Sequence, residues 1–171
     1  MSEFLPSSES IVIYTDGGCD PNPGPGGWAA VLTFGQHRKE IYGGFVETTN
    51  NRMEIFAAIA ALREVKKKLP IVLWSDSQYL VDAVEKGWAR RWRANGWRRN
   101  SKESALNPDL WETLLALIET LEVQFRWVRG HAGVPENERC DALVALGRQH
   151  VPLAVDVGYP SAQQIHEGRF A

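Results

Sequence analysis

The sequence predicts an α/β protein built on a mixed β-sheet, and two observations support that fold class. Short runs rich in β-branched and aromatic residues, typical of strands, alternate with longer stretches that have helical periodicity. Their order is three strands, a helix, a strand, further helices, a strand and a last helix, which is typical of a mixed sheet. The 171 residues suffice for one domain with a sizeable core, and no internal repeat or second domain is evident.

The N-terminal part of the chain contains the three predicted strands and the first helix. Residues 11–16 form an apolar, β-rich run, and the turn-rich stretch 17–27 follows it. Residues 28–34 and 38–46 have the composition of two further strands. Residues 52–65 lack glycine and proline and carry apolar side chains on two sides, so we expect a largely buried helix there.

The remaining predicted elements alternate between strand and helix. Residues 71–75 predict a buried strand, and residues 77–85 predict a short helix. A helix over 107–121 begins with an Asn–Pro pair, which combines a capping residue with a first-turn proline. Residues 123–128 alternate as a strand, and residues 136–149 have the pattern of a final helix.

Both ends of the chain predict tails around a single domain at residues 11–150. Residues 1–10 have no sustained periodicity, and we expect a flexible N-terminal tail there. Residues 151–171 contain two prolines and also lack periodicity, which predicts a C-terminal tail.

Composition excludes several classes of protein. No apolar run approaches the roughly 20 residues that a membrane-spanning helix needs, and the N-terminus lacks the basic and apolar segments of a signal peptide. Cys19 and Cys140 are far apart and lack zinc-ligand spacing, so two reduced thiols are expected. We therefore expect a cytoplasmic monomer with no membrane contact and no obligate protein partner.

Positive charge is concentrated in residues 86–102 of a chain whose net charge is −2. This stretch contains seven basic residues and no acidic one: Lys86, Arg90, Arg91, Arg93, Arg98, Arg99 and Lys102. Such a patch on an otherwise acidic chain predicts a surface that faces a polyanion, although a solvated helix face is the alternative. Trp88 and Trp92 are four residues apart, so we expect them to anchor a helix whose arginines point outward.

Two predicted strands end alike, with a hydroxyl residue followed by an aspartate: Thr15 and Asp16, and Ser75 and Asp76. Ligands in open α/β sheets gather beyond the carboxyl ends of strands. If these strands are adjacent and parallel, about 4.8 Å apart, the two aspartates converge and their repulsion favours a bound divalent cation. Alternatively, Asp76 caps a helix that begins at Ser77, and Asp16 opens the following turn.

Two further acids lie in the opening turns of predicted helices. Glu54 belongs to an otherwise apolar helix, which favours a role facing a site, but Asn51 and Glu54 also have the spacing of a capping box. Asp141 lies near the start of the last helix, where it could serve only the helix dipole. Taken singly, these residues do not distinguish a metal site from ordinary capping.

Five ordered segments carry a more specific pattern: TDGG (15–18), NPGPGG (22–27), TTNNRME (48–54), SDSQY (75–79) and GHAGVPENERCD (130–141). Together they resemble the signature segments of bacterial type I ribonuclease H, and the resemblance extends over about residues 11–148. It implies a ribonuclease H-like fold, a five-stranded mixed sheet flanked by α-helices. It also implies an endonuclease that hydrolyses the RNA strand of RNA–DNA hybrids and leaves 5′-phosphate and 3′-hydroxyl ends.

The resemblance implies a set of catalytic residues. By position, Asp16, Glu54, Asp76 and Asp141 match the family's metal-binding acids. His131 matches its loop histidine, which assists proton movement or product release. The implied cofactor is Mg²⁺, with Mn²⁺ as an alternative, and two ions are expected in the active site when substrate is bound.

The substrate-binding residues implied by the resemblance form three groups. The first faces the minor groove of the hybrid: Cys19, Asn22, Asn50, Asn51 and Gln78. Thr49 and Asn107 match a pocket for a phosphate of the DNA strand, beside which Glu47 stands where some relatives carry a basic residue. The third group coincides with the family's basic protrusion: Trp88, Arg90, Arg91, Trp92, Arg93, Arg98 and Arg99.

Two other functions are compatible with parts of this pattern. A catalytically silent hybrid-binding module would lack at least one of the four acids, and all four are present. A DNA endonuclease of the same superfold would have no need of the asparagines and Gln78, which the resemblance assigns to the RNA strand.

Overall fold

The computed structural model describes residues 10–150 and 152–159. Over these residues the chain forms five strands and five helices. The strands are β1 (Ile11–Cys19), β2 (Gly24–Phe34), β3 (His37–Thr48), β4 (Ile71–Ser75) and β5 (Val123–Trp127). The helices are α1 (Asn50–Arg63), α2 (Gln78–Glu85), α3 (Trp88–Ala94), α4 (Pro108–Glu119) and α5 (Pro135–Gln149).

The strands form a five-stranded mixed sheet in the order β3–β2–β1–β4–β5. The central strand β1 is antiparallel to β2 and parallel to β4, while β3 is antiparallel to β2 and β5 is parallel to β4. Parallel neighbours need a crossover: the chain reaches β4 from β1 by way of β2, β3 and α1, and it reaches β5 from β4 by way of α2 to α4. The predicted α/β class and five-stranded mixed sheet are confirmed.

Helices cover both faces of the sheet. The larger core lies between one face and helices α1, α2 and α4, and Trp111 of α4 is fully buried in it. On the other face, Leu143 and Val144 of α5 pack with Ala29 and Val31 of β2. Burial of these apolar side chains is the main contribution that stabilises the two layers.

The prediction of a turn-rich stretch over residues 17–27 is wrong for most of these residues. β1 continues to Cys19 and β2 begins at Gly24, so only a short turn remains between them. Glycine favours turns, but here glycines lie in strands because the absence of a side chain lets a helix approach the sheet closely. A Cβ at Gly27 would clash with the carbonyl oxygen of Val144 on α5.

Residues 152–159, called the C-terminal segment below, fold against β3. The Val46 N–H donates to the carbonyl oxygen of Ala154 at 2.8 Å, and the Ala154 N–H donates to that of Gly44 at 3.1 Å. The prediction of a loose C-terminal tail is therefore wrong for this segment. It pairs with β3 through backbone hydrogen bonds, and these leave no periodic pattern in the sequence. Residues 1–9, 151 and 160–171, which make up the rest of the two predicted tails apart from Ser10, lie outside the described residues.

Two expectations from the composition concern the cysteines and membrane-spanning segments. Cys19 is half-buried and Cys140 is buried, and both are free thiols. Across the part of the chain that the structure describes, every helix is too short or too polar to cross a bilayer.

Candidate active site

Neighbouring positions on β1 and β4 place two aspartates side by side. The two strands are parallel, and Thr15 is the direct partner of Ser75. Asp16 and Asp76 are the next residues along the chain, so both lie at the same edge of the sheet. The predicted convergence of the two aspartates is confirmed.

Glu54 joins this pair from α1. One carboxylate oxygen from each of Asp16, Glu54 and Asp76 lies within 4.8 Å of the others. The helix comes this close because Gly17 has no side chain, and a Cβ there would clash with the main chain of Met53. A larger residue at position 17 would push α1 away from β1 and open the cluster.

Neither Glu54 nor Asp76 acts as a helix cap. Thr49 caps α1, since its Oγ1 accepts the Arg52 N–H at 3.2 Å. Ser77 caps α2 in the same way. Because other side chains already accept these N-terminal donors, the capping alternatives for both acids are wrong.

Burial dominates the electrostatics of the cluster. Only 6% of Asp16 and 7% of Glu54 is exposed. Burial, followed by the negative charge of Asp76, raises the pKa of Asp16 to about 7, although the Gly17 N–H donates to Asp16 Oδ1 at 2.9 Å and partly offsets this. Burial and the charges of Asp16 and Asp76 also raise the pKa of Glu54 well above its usual value.

The cluster fits a hard divalent cation. Asp16 and Glu54 are buried with carboxylate oxygens within 4.8 Å of each other, and the pKa of each is raised, so without a cation the pair retains a proton near neutral pH. A cation removes the same repulsion without a proton, and an all-oxygen donor set is the one that Mg²⁺ and Mn²⁺ prefer. The residues present therefore fit the metal that the resemblance implies.

Ser75 is a residue of the site to which sequence reasoning assigned no role. Its Oγ accepts the Ser77 N–H at 3.0 Å, which leaves its own hydrogen to donate to Glu54 Oε2 at 3.4 Å. Ser75 thus orients Glu54 from the strand that carries Asp76. The signal in the sequence is the hydroxyl residue directly before the aspartate.

The loop between β5 and α5 carries His131 past the cluster. A Cβ at Gly130 would lie 3.0 Å from Asp76 Oδ2, so the loop passes close to that carboxylate. Asn137 of α5 donates from Nδ2 to the same oxygen at 3.4 Å. His131 is exposed and has a left-handed φ of 55°, which agrees with the predicted loop position.

Asp141 lies in the second turn of α5 and is exposed. It is not part of the carboxylate group that could hold one ion, among the residues that the structure describes. Its charge nevertheless adds to the raised pKa of Asp16, after burial and Asp76, so it lies within electrostatic reach of the cluster. The structure brings three of the four predicted acids together and leaves the fourth at the margin.

Comparison with known proteins identifies the family to which this fold and cluster belong. The family model for RNase H matches residues 8–149, which is most of the chain. The chain belongs to the ribonuclease H family.

Relatives of the family extend over nearly the whole chain. Ribonuclease H of Syntrophus aciditrophicus is 57% identical over 152 residues, which cover 89% of this chain and 88% of that protein. Ribonuclease HI of Synechocystis sp. is 54% identical over 151 residues, which cover 88% and 94%.

Two solved structures show the same fold. LC9-RNase H1, a type 1 RNase H with the type 2 active-site motif, is similar with a TM-score of 0.72 and 27% identity, over 86% of this chain and 75% of that one. LC11-RNase H1, solved in complex with an RNA/DNA hybrid, has a TM-score of 0.62 and 23% identity, over 81% and 96%.

In this ribonuclease H family member, part of the predicted minor-groove group is linked by hydrogen bonds. Asn50 Oδ1 accepts the Cys19 N–H at 2.7 Å, and Asn22 Oδ1 accepts the Asn50 N–H at 3.1 Å. Asn51 and Gln78 are exposed in the first turns of α1 and α2. Hydrogen bonds thus join Cys19, Asn22 and Asn50 on one surface. Their contact with nucleic acid stays a prediction.

Arg52 is a residue that sequence reasoning missed. Its guanidinium is 2% exposed, yet each of its five N–H groups has an acceptor. It donates twice to Asp156 of the C-terminal segment, at 2.7 and 2.9 Å, and twice to Asp109 of α4, at 2.9 and 2.7 Å. The fifth bond goes to Asn107 Oδ1 at 3.2 Å. A charged residue in a helix predicted to be buried was the available signal.

The basic stretch is more mixed than predicted. Trp88 and Trp92 pack against the core, so their anchoring role is confirmed. Arg93 is paired with Glu119 at 2.6 Å and is only one-third exposed, so the prediction that it points freely outward is wrong. The helix turns Arg93 toward α4, and the outward-facing arginines of the stretch are Arg90, Arg91, Arg98 and Arg99.

Proposed function

We propose that this protein is an endonuclease that hydrolyses the RNA strand of RNA–DNA hybrids and leaves 5′-phosphate and 3′-hydroxyl ends. The observation that carries the proposal is the buried cluster of Asp16, Glu54 and Asp76 on a ribonuclease H family fold. The hybrid bound to LC11-RNase H1, a protein of the same fold, supports the choice of substrate.

The acidic residues would hold Mg²⁺ or Mn²⁺, with two ions in the site when substrate is bound. Asp16, Glu54 and Asp76 form the group that the structure brings together, and Asp141 would complete it from α5. Bound divalent ions supply Lewis acidity to the attacking and leaving oxygens of a phosphodiester. Ser75 and Gly17 keep the protein ligands in place, since they orient Glu54 and let α1 approach β1.

His131 would act beside the metal-binding acids rather than among them. It is exposed on a loop that passes Asp76, which leaves an imidazole nitrogen free to move a proton or to assist product release.

Selection of a hybrid needs separate contacts to the two strands. Cys19, Asn22, Asn50, Asn51 and Gln78 would contact the 2′-hydroxyls and base edges of the minor groove. Thr49 and Asn107 would bind a phosphate of the DNA strand. The exposed arginines of residues 90–99 would add contacts to the nucleic-acid backbone that do not depend on sequence.

A cleavage assay on three substrates tests the proposal. Hybrid, duplex DNA and duplex RNA, each labelled on one strand, are incubated with the protein in Mg²⁺, in Mn²⁺ and in EDTA. We expect cleavage of only the RNA strand of the hybrid, only with a divalent ion, and 5′-phosphate ends on the products. Cleavage of duplex DNA would favour a DNA endonuclease, and binding without cleavage would favour a silent module. We also expect a cytoplasmic monomer without an obligate protein partner.

A further inference from the structure

Thr49 and Asn107, the proposed pocket for a DNA phosphate, share one neighbour in the structure, Arg52. The main-chain N–H of Arg52 donates to Thr49 Oγ1 at 3.2 Å. Its guanidinium donates to Asn107 Oδ1, also at 3.2 Å. In both pocket residues an acceptor oxygen is therefore occupied by the same arginine.

This arrangement leaves hydrogens, and few lone pairs, for a ligand. The Thr49 hydroxyl can turn its hydrogen toward the pocket, because Arg52 occupies an acceptor position on its oxygen. The Asn107 amide cannot flip without losing the bond from Arg52, and its side chain is also hydrogen-bonded with the Tyr79 hydroxyl. The amide nitrogen has two hydrogens, so one remains for an anion even when Tyr79 is engaged.

Arg52 is itself held by two carboxylates from distant parts of the chain. Asp109 comes from the first turn of α4, next to Asn107, whose left-handed backbone (φ 60°) ends the loop before that helix. Asp156 comes from the C-terminal segment and is largely buried. The Thr48 hydroxyl also donates to Asp156 Oδ2, at 2.6 Å. Asp156 thus links the C-terminal segment to Arg52, the neighbour that Thr49 and Asn107 share.

We propose that Arg52 is a positioning residue that turns Thr49 and Asn107 into a donor-only pocket for a phosphate of the DNA strand. Asp156 of the C-terminal segment is required to hold Arg52 in that role. The inference rests on the proposed function, because it concerns how the hybrid's DNA strand is bound. It adds to that function a contribution of residues 152–159 to substrate affinity.

Positioning and simple charge make opposite predictions for Asp156. The cluster has two carboxylates for one guanidinium, so by charge alone Asp156 repels a nearby phosphate, and Asp156→Asn should tighten binding. If Arg52 acts by positioning, Asp156→Asn weakens the hydrogen bonds that hold its guanidinium. The Asn107 amide can then rotate and turn its oxygen toward the phosphate. Binding should then weaken about tenfold or more, as expected for the loss of one hydrogen bond to a charged group.

The experiment compares Asp156→Asn with the wild-type protein on a set of modified hybrids. Each hybrid carries one neutral methylphosphonate linkage at a different position of the DNA strand, and its affinity is measured in EDTA to prevent cleavage. The values of KM and kcat are measured with the unmodified hybrid in Mg²⁺. Glu64→Gln is the matched control, since it also removes one carboxylate charge from an ion pair, with Lys39 at 2.6 Å, away from the pocket.

For the wild type we expect one linkage position at which neutralisation weakens binding about tenfold. Asp156→Asn should raise KM with kcat unchanged, and should lose the sensitivity at that position. The Glu64→Gln variant should keep the wild-type KM and the sensitivity at that position. An unchanged or lower KM in Asp156→Asn, a retained sensitivity, or no sensitive position in the wild type would each overturn the inference.

A folding defect can be separated from this effect. Thermal unfolding shows whether Asp156→Asn is folded at the assay temperature. Should it not fold, Asp109→Asn takes its place with the same expected result, because its half-exposed carboxylate holds Arg52 from the other side. Failure of the proposed function itself would look different, since the wild type would then not cleave the hybrid at all.

Discussion

Asp16 on β1 and Glu54 on α1 bring carboxylate oxygens within 4.8 Å of each other, at a point where neither residue is more than one-tenth exposed. Two carboxylates cannot both be ionised in such a place without a cation. The metal-free protein therefore binds a proton where the metal-bound protein would bind a positive ion. This exchange makes both the stability and the activity depend on pH.

The stability of the metal-free protein should fall as the pH rises. The pKa of Asp16 is raised to about 7 in the folded state, so its contribution is present below about pH 4 and is lost as the pH rises through about 7. We expect Asp16→Asn to stabilise the protein in EDTA on the order of 2 kcal/mol at about pH 8, and much less at about pH 5. Urea unfolding measures the difference, and the exposed Asp20→Asn is the control. A less stable Asp16→Asn at the higher pH would contradict this account.

Removal of a metal ligand should abolish catalysis without abolishing binding. Asp76→Asn keeps the shape of the side chain but removes a negative charge from the group that would hold the cation. We expect cleavage of the hybrid to fall by several orders of magnitude, while binding of the hybrid is retained or tightens. Single-turnover cleavage and a binding titration measure the two effects. Retention of one-tenth or more of the wild-type rate would refute the role of Asp76 as a ligand.

His131→Ala should have a smaller effect than the loss of an acid. His131 is on the loop outside the carboxylate cluster, so it can assist a proton transfer without holding the metal. We expect turnover to fall about a hundredfold or less. The Mg²⁺ concentration that gives half-maximal activity should stay the same. A loss as large as that of Asp76→Asn, together with a higher half-maximal Mg²⁺ concentration, would instead identify His131 as a metal ligand.

The exposed arginines of the basic stretch should determine the salt dependence of binding. Changing Arg90, Arg91 and Arg98 to Ala should raise KM and leave turnover at saturating hybrid close to wild type. The plot of log affinity against log salt should become shallower by up to about 0.9 per lost phosphate contact. Arg93→Ala is the matched control, because Arg93 is paired with Glu119 and is expected to change the slope less. An unchanged slope in the triple variant would mean that the patch is a solvated face.

A charge reversal at Glu47 should strengthen the proposed phosphate pocket. Glu47 is at the end of β3, two residues before Thr49. We expect Glu47→Lys to lower KM and to make the salt dependence steeper by up to about 0.9. Glu122→Lys is the control, since Glu122 is exposed at the opposite end of the sheet, where its carbonyl oxygen accepts the Ile71 N–H. Equal effects of the two changes would show that only net charge matters.

The order of strands and helices was predictable because it depends on local periodicity. The apolar runs at residues 11–16 and 71–75 form the predicted strands. Asp16 and Asp76, at the ends of these runs, converge because the strands are parallel neighbours. The four-residue spacing of Trp88 and Trp92 likewise predicted an anchored helix. In such elements the pattern that is visible in the sequence is the same pattern that is buried in the fold.

By itself, the sequence determined the fold class and the family, and it predicted the three acids Asp16, Glu54 and Asp76 that the structure brings together. Only the tertiary structure decided that residues 17–27 mostly extend two strands, because glycine's turn propensity gives way where helices press on the sheet. It alone paired Arg52 with Asp156 across 104 residues of chain, and Arg93 with Glu119. The sequence shows where charged residues are, but it does not show which of them pair with each other. Which ion pairs form is decided by the distances that packing creates.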